Sequence, residues 1–124
     1  MSQITDWFAL IGEDPDSTDT DRVAELTQMG NTLLSLASRH LELMTLQTAP
    51  VETGPDFPFR DKWHFITTAM AVELYAKVGM FGLSSVNKQG FSGSLLQGYS
   101  PLIMQAVRKL VRIGNPKNNV IDIP

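Results

Sequence analysis

Asp14, Asp16, Thr18 and Glu25 stand at the spacing of positions one, three, five and twelve of an EF-hand loop, where oxygen ligands alternate along a tight turn around calcium. The match stops at the residues that shape such a loop. Position six needs glycine for its sharp turn and is Asp19, and the apolar position eight is Asp21. These carboxylates read instead as neighbours of a helix N-terminus, where unpaired N–H groups and the helix dipole favour negative charge.

His40 and His64 are the two imidazoles, and Glu42 and Asp61 are the nearest carboxylates in sequence. Metal binding or general-base chemistry needs these rings to meet across two helices with a third group orienting each, and nothing in the spacing requires that. Ser84, Ser85, Ser92 and Ser94 come without the Gly-x-Ser-x-Gly elbow of a hydrolase. The glycines of residues 90–98 lack the Lys-Ser/Thr pair of a phosphate-binding loop, and no Gly-x-Gly-x-x-Gly follows a strand. Trp63, Phe65, Met70, Tyr75 and Phe81 have helical spacing and read as core or subunit contacts, not as a ligand box. The expectation is a chain that is not an enzyme, with no catalytic residue, cofactor or metal.

Composition narrows the class further. The 124 residues suit one domain, 43% are hydrophobic and 19% charged, and no apolar run approaches the ~20 residues that cross a bilayer. Residues 1–10 hold Asp6 and no Lys or Arg, unlike a secretory leader, so an intracellular protein is expected. Without cysteine there is no disulfide, thiolate or Cys-based zinc site. A net charge of −3 argues against tight nucleic-acid binding, which runs on Lys and Arg displacing counterions from phosphates. Arg108, Lys109 and Arg112 do cluster, at the end of a helix-like stretch that attracts cations anyway.

The elements that must position these residues are mainly α-helical. Thr5 and Gly12 bracket a short helix carrying Trp7, Phe8, Leu10 and Ile11, and residues 13–21 form an acidic turn. Val23, Leu26, Gly30, Leu33, Leu34, Ala37, Leu41 and Met44 then make a 3.6-residue stripe, the first long helix. Gly30 inside it costs about 1 kcal/mol relative to Ala and marks a close helix crossing or a bend. After a Pro-rich loop over 49–58, Phe59, Trp63, Ile66, Met70, Leu74 and Val78 give a second long helix, antiparallel to the first, that ends at Gly79, with Asp61 in its first turn. Residues 80–98 show no helical stripe and read as a Gly/Ser-rich extended loop, with 91–96 able to form a strand or ribbon edge. Ser100 and Pro101 open a short terminal helix, marked by Leu102, Ile103, Ala106, Val107, Leu110 and Val111, that stops at Gly114. Residues 1–114 therefore form one helical domain. Residues 115–124 form a tail whose Val120, Ile121 and Ile123 have no partner in their own stretch.

This order of parts resembles the head-tail connector (adaptor) proteins of tailed bacteriophages. The residues that carry the resemblance are Thr5-Asp6-Trp7-Phe8-Ala9-Leu10-Ile11-Gly12 leading into Asp14-Pro15-Asp16-Ser17-Thr18-Asp19, then Glu73-Leu74-Tyr75. Above all they are Gly82-Leu83-Ser84-Ser85-Val86 before Gly90-Phe91-Ser92, with a tyrosine, here Tyr99, ahead of the last helix. Where members often carry an acidic Ser-Glu-Gly-Gly, this chain has Asn87-Lys88-Gln89-Gly90. The resemblance implies a structural viral protein of the virion, assembled in the bacterial host cytoplasm. It would form a homo-oligomeric ring of about a dozen copies. The ring would sit beneath the portal protein and bridge to a stopper or tail-completion protein. DNA would pass through the channel without specific binding, repelled by the negative charge of the subunits, and no membrane is involved. It also implies that Gly82, Leu83, Ser84, Ser85, Gly90 and Phe91 meet a neighbouring subunit or the next ring, while Val120, Ile121 and Ile123 dock on the portal. The alternative is a small helical DNA-packaging or regulatory protein that binds DNA through Arg108, Lys109 and Arg112.

Overall fold

The computed structural model describes residues 3–50, 57–89 and 98–113. They form five helices: α1 (Gln3–Ile11), α2 (Thr20–Thr45), α3 (Phe57–Phe81), α4 (Leu83–Gln89) and α5 (Pro101–Ile113). Among the described residues there is no strand. The ribbon expected over 91–96, Gly90, Phe91, and the tail with Val120, Ile121 and Ile123 all lie outside the described residues.

The two long helices pair antiparallel, as the stripes require. Ser38, toward the end of α2, accepts a hydrogen bond at 3.1 Å from the Trp63 indole near the start of α3. Toward the other end, Trp7 of α1 bridges the pair: it covers Gly30 of α2 and meets the ring of Tyr75 of α3 edge-on at 5.4 Å. The stripe residues Leu33, Ala37, Leu41, Trp63, Ile66, Met70 and Leu74 are all buried between them.

The Gly30 expectation resolves in favour of a crossing. A Cβ there would stand 2.5 Å from Ile4 Cδ1 and 2.7 Å from the Trp7 ring, so α1 lies directly on the α2 backbone. Gln3 fixes the end of α1 by donating to the His64 carbonyl at 3.1 Å and the Thr67 hydroxyl at 2.6 Å.

Helix ends follow local chemistry, with some shifts from expectation. Thr5 lies inside α1, which starts at Gln3, while Gly12 does close it with φ of 79°. Asp19 caps α2, its carboxylate accepting from the Arg22 N–H at 3.2 Å. At the other end Leu46 adopts the left-handed conformation, φ 55°, and is 89% exposed. Glycine takes that conformation at no steric cost, and Leu46 has almost no burial to lose. Leu46→Gly is therefore expected to stabilise the fold by about 1 kcal/mol, read as a raised denaturation midpoint at low protein concentration.

α3 begins at Phe57, which puts Asp61 beyond the first turn, contrary to its expected place there. It also runs through Gly79 to Phe81. The stop is Gly82, whose φ of 89° reverses the chain while its N–H still donates to the Val78 carbonyl at 2.8 Å. The expectation of a non-helical stretch from residue 80 is thus corrected, because α4 follows at once. Two apolar residues one turn apart hold it down: Leu83 is half-buried and Val86 fully buried against the core.

Tyr99 and Ser100 anchor the start of α5. The Tyr99 hydroxyl lies 2.8 Å from His40 Nδ1 of α2, and the Ser100 N–H donates to a Glu73 carboxylate oxygen of α3 at 2.9 Å. The Ser100 hydroxyl accepts from the Ile103 N–H at 3.4 Å, the expected cap. Ile103, Val107 and Leu110 are buried, whereas Leu102 and Val111 of the same apolar set are exposed because the stripe facing α2 and α3 is narrower than six residues.

Candidate assembly surfaces

The residues singled out for chemistry do not converge. Asp14 accepts from the Asp16 N–H at 2.9 Å, Ser17 from the Asp19 N–H at 3.1 Å, and Asp19 is spent on the cap, so the acidic turn is held by its own backbone bonds. Among the described residues no three His, Cys, Asp or Glu side chains gather as metal ligands. His40 is fully buried beside Tyr99, whereas His64 is half-exposed on α3 and engages neighbours through its carbonyl, which accepts from Gln3 and Thr68. Ser84 and Ser85 are exposed on α4.

The buried His40–Tyr99 pair is neutral by construction. Burial, and secondarily the nearby Arg39 charge, pulls the His40 pKa down to about 4. Burial, reinforced by the Glu73 carboxylate, pushes the Tyr99 hydroxyl upward, so it keeps its proton. The pair ties α5 to α2 and lies away from open surface.

Of the expected interface residues, Gly82 and Leu83 shape the α3–α4 joint and Ser84 and Ser85 face outward. The larger apolar surface lies elsewhere. Phe65 of α3 is 73% exposed and Leu10 of α1 61%. With Ala9 and Ala69 they line an open groove of about 640 Å³ between α1 and α3, which Asp6 and Asp61 also line and no Lys or Arg enters. A second groove, of about 660 Å³, lies between α2 and α5. Leu43, Met44, Met104, Val107 and Val111 line it, together with Arg108 and Arg112 and no acidic residue.

The two grooves lie on different flanks of the molecule. α1 meets α3 at His64, Thr67 and Tyr75, while the start of α5 meets it at Glu73. At about 100° per residue, position 73 lies between a third and half a turn around α3 from positions 64, 67 and 75.

Sequence spacing held a signal for these surfaces. Phe65 falls between the stripe positions Trp63 and Ile66, and Leu43 falls beside the stripe that includes Leu41 and Met44. Standing off the buried faces of their helices, both contribute to exposed apolar patches. Phe81, grouped with the aromatic positions at helical spacing, is likewise exposed at the end of α3, next to Met80.

The chain matches no family model, no curated protein and no solved structure.

Proposed function

We propose that this chain is a structural subunit of a phage head-tail connector, a ring protein of the virion that joins the portal to a stopper or tail-completion protein and performs no bond chemistry. The observation that carries the reading is the pair of apolar grooves on different flanks of one small helical body, one lined by α1 and α3 and the other by α2 and α5. Contiguous exposed apolar surface on a small protein marks partner contact. Two different patches on separate flanks suit head-to-tail contacts, which close into rings when the rotation per subunit allows. The net charge of −3, repeated around a channel, lets a DNA duplex slide without being gripped.

Electron microscopy and light scattering of the purified chain, with and without portal protein, test the reading. A stable complex with portal protein is the expected result, whether the chain forms rings alone or only there; a chain that leaves portal unbound overturns it. Deleting residues 115–124 is expected to abolish portal binding while leaving the helical circular dichroism intact, and unchanged binding would refute the role given to Val120, Ile121 and Ile123. The rival reading, DNA binding, has its own support in Arg108, Lys109 and Arg112, all exposed on α5. A salt titration separates the two, since binding through phosphates falls steeply between low and moderate salt.

A further inference from the structure

We infer that the two grooves are each other's occupants: the α5 edge of one copy seats in the α1/α3 groove of the next. This rests on the subunit reading above and adds which surfaces meet. The argument is charge complementarity laid over matching apolar surface. The α1/α3 groove presents Leu10 and Phe65 with Asp6 and Asp61, and the α2/α5 groove presents Val111 and Leu43 with Arg108 and Arg112.

Each groove therefore has an apolar floor, and the two carry opposite charge. Among the described residues, neither Asp6 and Asp61 nor Arg108 and Arg112 makes an ion pair within the chain. Arg108 and Arg112 are four residues apart on α5, one turn, so both address the same partner surface along with Val111. Two copies meeting by the same patch would oppose acid to acid or Arg to Arg, which disfavours a symmetric dimer through either groove. Because the surfaces differ and share no residue, the contact propagates from copy to copy.

The test is a charge swap on the full chain. R108E/R112E and D6K/D61K are each expected to fold as the parent does, by circular dichroism, and to self-associate at least tenfold more weakly in sedimentation velocity. An equimolar mixture of the two, and separately the single chain carrying all four changes, should regain association, because acid again faces base at every contact. Association that ignores both reversals, or a four-change chain that stays dissociated, overturns the inference. So does loss in one double variant with none in the other, the signature of a symmetric contact through one groove or of a different protein on it.

Portal binding is measured in parallel on the same variants. A monomeric parent that still binds portal sinks this pairing and leaves the connector reading standing. A self-associating parent that ignores portal supports the pairing and sinks the connector reading.

Discussion

Gly30→Val is expected to detach α1 from the rest of the molecule and to lower stability by about 3 kcal/mol, the cost of forcing extra carbon atoms into a filled contact. The added Cβ alone would lie 2.7 and 2.8 Å from Trp7 Cε3 and Cζ3. The Ile4 methyl on the same site can swing away, but the Trp7 ring cannot, because it is fully buried and braced edge-on by Phe8 at 5.7 Å and Tyr75 at 5.4 Å. Gly30→Ala separates this mechanism from helix propensity. Propensity alone predicts that alanine stabilises α2 by about 1 kcal/mol, whereas the crossing predicts a lowered midpoint in urea. A raised midpoint for alanine would mean that α1 is not seated on Gly30. The valine variant should also shift Trp7 fluorescence to the red and, since α1 supplies Asp6 and Leu10, destroy the α1/α3 groove and any assembly that uses it.

That crossing was legible because a glycine in the middle of an otherwise regular apolar stripe opens the helix backbone to close approach by a neighbour. The long helices were legible from the stripes themselves: Leu26, Leu33, Leu41, Trp63, Met70 and Leu74 repeat at helical spacing and are buried. Ser100-Pro101 announced α5 through local capping chemistry. The α4 helix was not legible, since seven residues with Leu83 and Val86 as their apolar anchors make no stripe, and tertiary burial rather than propensity holds them helical. The grooves were half legible: Phe65 and Leu43 stand off their stripes, but which helices flank them depends on how α1 and α5 dock, and periodicity within one helix says nothing of that. Nor could spacing pair His40 with Tyr99, 59 residues apart in sequence.

That pairing makes the fold acid-sensitive in a window set by His40. The ring has a pKa of about 4 in the folded protein and 6.5 when unfolded, so the unfolded chain binds more protons between these values. Stability that is complete above pH 6.5 is therefore lost as pH falls, at up to ~1.4 kcal/mol per unit and about 3 kcal/mol in all by pH 4. Protonation would place a charge in a buried site beside Arg39, with the Tyr99 hydroxyl as its neighbour. The matched control replaces both partners, H40F/Y99F, because truncating one alone breaks their hydrogen bond and leaves the other's polar atom of that bond buried. Urea midpoints taken every half unit from pH 7 to 5 should fall in the parent and fall less in the double variant. Tyr99 keeps its proton throughout this range and every titrating group other than these two is common to both proteins, so the difference between the curves isolates His40. Parallel curves would mean that His40 is not held neutral by its surroundings. Because Tyr99 lies two residues before α5, next to its Ser100 cap, the same acid shift should loosen α5 first, detectable as faster amide exchange at Val107 and Leu110 than at Leu33, and with it the α2/α5 groove and the Arg108 and Arg112 contacts it presents.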